Sequence, residues 1–167
     1  MMLVLSFILI IVLTALDQII KLIVIKNISI GQVINLISFG DKQVLNLTHI
    51  RNTGAAWSIM QGKTWFLVGL PIVVLIAGVV YMVIKRKTLK RFEAIFISMI
   101  IAGGIGNLID RVRIKEVVDY ISFKIIDFPV FNFADICVVV GEILLVIYIF
   151  FFDDKKEKSE KKEAQDE

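Results

Sequence analysis

Residues 2–25 read MLVLSFILIIVLTALDQIIKLIVI, a run in which only Asp17 and Lys21 are charged. A helix needs roughly 17–25 predominantly apolar residues to cross the hydrocarbon core of a bilayer, so this run is long enough to span one. It does not read as a cleaved leader. No basic stretch opens it, its apolar part is too long, and no A-x-A site follows. We read it as a retained helix.

Three more apolar stretches follow. Residues 64–84 (TWFLVGLPIVVLIAGVVYMVI) hold no charge. Residues 94–109 (AIFISMIIAGGIGNLI) are uncharged but short, and make a span once a turn of their flanks is added. Residues 128–152 are apolar apart from Asn132, Asp135 and Glu142. The expected spans are about 2–25, 64–84, 93–110 and 134–152.

Composition agrees. The chain has 167 residues, 57% of them hydrophobic, with thirty Ile and two Pro, and its mean hydropathy is +0.83. Counted with Gly and without Tyr, the apolar share is about 62%, against about 45–50% in soluble domains. That excludes a soluble domain, and equally a disordered chain, which needs low hydrophobicity. The single cysteine, Cys137, excludes a disulfide scaffold.

Charge is divided along the chain. Residues 153–167 (DDKKEKSEKKEAQDE) carry five basic and seven acidic side chains, and read as a solvated, disordered cytoplasmic tail on a single membrane domain of residues 1–152. Five basic residues crowd into KRKTLKR (85–91), whereas 26–63 and 110–127 hold four each, more thinly spread. The positive-inside rule then puts 85–91 and both termini in the cytoplasm and the two long loops outside. No basic stripe interleaved with aromatics suggests nucleic-acid binding. Segment 44–50 (VLNLTHI) has a strand signal, and Asn52-Thr53-Gly54 a turn. The expected fold is therefore a mostly α membrane protein, with four transmembrane helices and a small extracytoplasmic β-sheet from the first outer loop.

Polar side chains within or beside the spans need an account, because each is expensive there. Asp17 and Lys21 lie one helical turn apart, on one face. They either neutralise each other or line a polar interior. Asp135 opens the fourth span in FNFAD (131–135), where a helix dipole favours an acid. Asp119 sits in VVDYISF (117–123), just after the third span. Spans three and four are antiparallel neighbours, which brings both acids to one interface. Two close carboxylates cannot both ionise easily, and a pair sharing one proton can do acid–base work on water.

Between them lies GGIGNLIDRVR (103–113), whose glycines permit close helix contact. Asn107, Asp110 and Arg111 mark the exit of that span, with Asp110 free to meet water or Arg113. Glu142, mid-span, either pairs with another span or sits in a wet cleft. His49 reads as structural and Cys137 as a small buried residue. The chain has no H-E-x-x-H zinc motif, no G-x-S-x-G elbow and no G-x-G-D, so carboxylates are the only credible catalysts, without metal or cofactor.

Five blocks together resemble the lipoprotein signal peptidases (signal peptidase II) of bacteria: DQIIK (17–21), NTGAAWS (52–58), GGIGNLIDR (103–111), VDY (118–120) and FNFAD (131–135). Trp57 and Tyr120 stand where Phe is common, and both keep an aromatic ring. The resemblance implies an aspartic endopeptidase of the cytoplasmic membrane with Asp119 and Asp135 as its dyad. Its substrates would be diacylglyceryl-modified prolipoproteins, cut just before the lipidated Cys. The motif positions around that site are Asp17, Lys21, Asn52, Gly54, Asn107, Asp110, Arg111, Asn132 and Ala134. Contact with membrane lipid, binding of globomycin-like cyclic peptides and an outer β-cradle are also implied. The rival reading is a small proton- or ion-coupled transporter or channel subunit using Asp17, Lys21, Asp135 and Glu142.

Overall fold

The computed structural model describes residues 1–54, 64–126 and 128–153. Trp57 and the charged tail beyond residue 153 lie outside them. Helix α1 runs Met2–Asn27, followed by strands β1 (Val33–Phe39) and β2 (Lys42–Asn52), then helices α2 (Thr64–Ile84) and α3 (Arg91–Ile114). Strand β3 (Val117–Phe123) leads into α4 (Phe133–Tyr148), which ends in a π-helical turn at Ile149–Asp153. Among the described residues, four helices are long and apolar enough to cross a membrane. The third exceeds its expected limits at both ends, because Arg91 and Arg113 extend it as polar end turns.

The exterior explains why this bundle needs an apolar solvent. Ile8, Ile11, Val73, Ile76, Val139 and Ile143 are all exposed large hydrophobics, whereas the charged Asp17, Lys21 and Asp110 are buried. That is the reverse of the pattern of a helix packed in water. Helix α3 is central and packs against α1, α2 and α4. Its glycines set the distance of approach. A Cβ on Gly103 would run into the Ala134 carbonyl oxygen, and one on Gly106 would come within 2.5 Å of Asp17 Oδ2. One apolar cluster (Ile10, Met82, Leu89, Ala94, Ile97, Ile101, Ala102) fills the end of the bundle near the 85–90 connection. A second (Val24, Ile28, Val118, Tyr120) seats the sheet on α1.

The sheet is antiparallel in the order β1-β2-β3. Its first two strands form a hairpin in the first long loop, from which a small sheet was expected with a strand at 44–50. The third comes from the segment after α3, so the sheet draws on both loops at this end. A register shift between Leu47 and Ile50 leaves Ile50 opposite Asp119 and Asn52 opposite Val117. Phe131 bridges to Ile121, which ties the start of α4 to the outer side of β3.

Candidate active site

Asp135 is fixed by the local rules of helix starts. Asn132 is the N-cap of α4, and its Oδ1 accepts from the Asp135 backbone N–H at 3.0 Å. Asp135 Oδ2 reciprocates by accepting from the Asn132 N–H at 3.0 Å. This capping box holds the carboxylate over the positive end of the helix dipole. Its other oxygen, Oδ1, accepts from Asn107 Nδ2 at 2.7 Å. Both oxygens thus meet N–H donors, which fixes the orientation of the carboxyl group.

Asp119 arrives from the sheet. Asn52, at the end of β2, donates from Nδ2 to Asp119 Oδ2 at 2.9 Å. Asn52 is itself oriented by an Asx turn, in which its Oδ1 accepts from the Gly54 N–H at 2.9 Å. Arg111 Nη2 holds that turn through the Gly54 carbonyl at 3.0 Å. Asn132 Nδ2 donates to Asp119 Oδ1 at 2.7 Å and to Asn107 Oδ1 at 3.0 Å. Asp119 is only 3% exposed. Burial, reinforced by the nearby Asp135 charge, pushes its carboxyl up to about 7 from an ordinary 3.8. The Tyr120 hydroxyl is also raised above its usual range by burial, so it stays neutral and accepts from the Phe133 N–H at 3.1 Å.

Beneath the two acids lies a buried ionic cluster. Lys21 Nζ contacts Asp17 Oδ2 and Asp110 Oδ2, each at 2.9 Å, and donates to Asn107 Oδ1 at 3.0 Å. Its three donors meet three acceptors, which is what makes a fully buried ammonium tolerable. Gln18 Nε2 is shared among Asp17, Asp110 and the Gly106 carbonyl at 3.1–3.2 Å. Asp17 Oδ1 accepts from the Ala134 N–H at 3.1 Å, satisfying an otherwise orphaned donor of the first turn of α4. Asp110 Oδ2 accepts from the Val118 N–H, anchoring β3.

Asp119 and Asp135 both open into one cavity of about 480 Å³, with Asn52, Asn107 and Arg111 also on its wall. The remaining lining is apolar and includes Phe123, Ile126, Phe128, Phe131, Ile136 and Val139. A site of this kind offers two coupled carboxylates at the polar end of a slot that fits acyl or aliphatic groups.

Every residue expected at the site is therefore in one connected network. The Asp17–Lys21 pair belongs to the polar interior. Asp110, one of the expected supporting positions, is buried and meets Lys21 rather than the alternative partners water or Arg113, because α3 continues to Ile114 and carries it inside the bundle. Gln18 and the Tyr120 hydroxyl are additional members that sequence reasoning did not assign. The only available hint was Gln18 beside Asp17 in an apolar run. Cys137 is buried, and His49 is structural, its Nδ1 2.8 Å from the Ile28 carbonyl oxygen. Glu142 does not join the network. It is exposed on α4, with no hydrogen bond or ion pair to the described residues.

Known proteins resemble this chain in sequence and in fold. Residues 9–151 match the family model described as Signal peptidase (SPase) II. The chain is 40% identical over 147 residues to a lipoprotein signal peptidase of Enterococcus faecalis, covering 88% of each protein. It is likewise 40% identical over 140 residues to one of Lactiplantibacillus plantarum, covering 84% of this chain and 90% of that protein. A solved bacterial membrane enzyme superposes with a TM-score of 0.78 at 39% identity, over 92% of this chain and 90% of its own. A second gives 0.76 at 38% identity, over 88% and 93%. With a family match over most of its length and relatives this similar, the chain belongs to the signal peptidase II family.

Proposed function

We propose that this protein removes signal peptides from diacylglyceryl-modified prolipoproteins, cutting just before the lipidated Cys, with Asp119 and Asp135 as an aspartic dyad. The observation that carries the reading is the convergence of the two acids on one largely apolar cavity, with Asn132 joined to both. The lipid on the substrate Cys suits the apolar wall, and the scissile amide then lies at its polar end.

Asp119, the more buried acid and the one raised to about 7, is the member of the pair that carries the proton below that pH. Asp135, held at both oxygens by N–H donors and lining the same cavity, is the base of the pair. Asp135 takes a proton from a water as its oxygen bonds to the scissile carbonyl carbon. Asp119 hydrogen-bonds the carbonyl oxygen, where negative charge develops. The C–N bond then breaks, and the dyad's proton passes to the leaving nitrogen. The products are a signal-peptide carboxylate and the free α-amine of the lipidated Cys.

In this reading the protein is a single multi-pass domain of the bacterial cytoplasmic membrane. Both termini are cytoplasmic, the site lies near the outer face, and surrounding lipid delivers the substrate laterally. The same cavity would receive globomycin-like cyclic peptides. A carboxylate proton path is the weaker reading, since Glu142 has no polar partner linking it to the cluster among the described residues.

The test is cleavage by purified protein in bilayers. A diacylglyceryl-modified prolipoprotein should give a shorter product beginning at the lipidated Cys, and Asp119→Asn or Asp135→Asn should abolish it with the fold retained. Near-wild-type cleavage by either variant would overturn the dyad, and a proton flux dependent on Glu142 would favour the rival.

A further inference from the structure

Glu142 is the acid of α4 that this chemistry leaves unused. It stands seven residues after Asp135, which at 3.6 residues per turn is about 20° away around the helix and about 10 Å along it. Val139, one turn nearer the site, lines the same cavity as Asp135. Glu142 therefore continues the side of α4 that carries the site. Counted from Phe133 it is about 13 Å into the helix, near the middle of a hydrocarbon core about 30 Å thick. An exposed acid at that depth is expensive, and intramembrane ionisable groups are found paired or in functional use. Neither its own chain, among the described residues, nor lipid offers it a partner.

We propose that Glu142 is a specificity-determining residue: it meets the membrane-spanning part of the signal peptide and favours peptides with a hydroxyl or amide side chain at that depth. The inference rests on the function proposed above. A signal peptide keeps its basic N-terminal region in the cytoplasm, so from a scissile bond at Asp119 and Asp135 it runs back along the direction of α4. Its spanning segment passes Ile136, Val139 and Ile143, which are exposed and apolar, and suit an apolar peptide. Glu142 interrupts that surface with a group that accepts a hydrogen bond when ionised and donates one when protonated. Side-chain hydrogen bonds between helices in bilayers are modest, so the preference is graded, roughly 3- to 15-fold.

The test uses the full-length protein in nanodiscs and synthetic diacylglyceryl-modified signal peptides with a Leu/Ala spanning segment. A single Ser is moved through the window that a 10 Å separation allows, about three residues from the cut if extended and about seven if helical. We expect one or two neighbouring Ser positions to lower KM roughly 3- to 15-fold relative to Ala in the wild type. The ratio should fall to about one in Glu142→Leu and largely survive in Glu142→Gln, which still accepts and donates. Being a ratio within one preparation, it does not depend on how much enzyme is folded. A flat wild-type profile, or one that Glu142→Leu leaves intact, overturns the inference while cleavage itself upholds the function. Failure of the wild type to cut any of the peptides overturns the function, and the inference with it.

Discussion

Asn132 donates one side-chain hydrogen to Asp119 Oδ1 at 2.7 Å, and through its backbone N–H it donates to Asp135 Oδ2 at 3.0 Å. One residue thereby sets the spacing of two acids that come from different kinds of structure, a strand and a helix start. The same side chain caps the helix that holds Asp135, so the geometry of the pair and the integrity of the helix end are mechanically one feature.

Substitution separates those two duties. Asn132→Ala removes the cap, which should cost about 1 kcal/mol of stability, and also the bond to Asp119. Asn132→Asp caps as well as Asn but has no amide hydrogens, so Asp119 Oδ1 and Asn107 Oδ1 each lose a donor, and a third acid joins the pair. Misplacing a catalytic group by an ångström costs about 10²-fold, so both variants should lose on that order of cleavage. A melting curve alongside the assay distinguishes them in stability. Wild-type rates from Asn132→Asp would show that the amide is dispensable.

The raised Asp119 carboxyl makes a signed prediction about pH. Its proton is held below about 7 and lost above it, so kcat/KM should decline as pH rises through about 7. Stability shifts in the same direction. An acid whose value rises from 3.8 to about 7 on folding binds more protons in the folded state, so its contribution is fully present below about 4 and is lost as pH rises through 7. Asp119→Asn should flatten that slope of stability between pH 4 and 8. An unchanged slope in the variant would place the titration elsewhere.

Much of this was legible in advance because hydrocarbon is an unforgiving solvent. Three long apolar runs and a shorter one extended by its flanks dictated four helices, and charges inside them stood out by their cost. Asp119 and Asp135 could be paired because consecutive antiparallel helices return the chain to the same end. What stayed hidden depended on tertiary contact. Segment 117–123 is a short apolar run with an acid in its middle, and only its partner β2 makes it a strand. Gln18 is neutral, and so too cheap to stand out beside Asp17. The partner of Asp110 was hidden because Lys21 lies on another helix, 89 positions earlier in the chain.

That helix-to-helix ion pair predicts a strong asymmetry. Lys21→Met leaves Asp17 and Asp110 facing each other in a buried site, and removing one member of a buried ion pair costs about 3–5 kcal/mol. Adding Asp110→Asn removes one of the stranded charges, so the double variant should be more stable than Lys21→Met alone. Thermal melting in detergent measures this, and additive losses in the double variant would refute the coupling.

Gly106 tests whether the site depends on how closely α1 and α3 approach. A methyl group there would sit 2.5 Å from Asp17 Oδ2 and 3.3 Å from Ala134 Cβ. Asp17 cannot yield cheaply, since its two oxygens hold Lys21, Gln18 and the Ala134 N–H. Gly106→Ala should therefore cost about 1–3 kcal/mol by overpacking. The displaced Asp17 would also pull on the first turn of α4, two residues from Asp135's cap, so kcat should fall even in the folded fraction. Gly104→Ala is the control. Its methyl would meet Leu75 Cδ2 at 2.8 Å, the far end of a flexible side chain on α2, away from the ionic cluster. If the two variants lost kcat equally at equal folded fraction, the effect would come from general crowding along α3 rather than from Asp17.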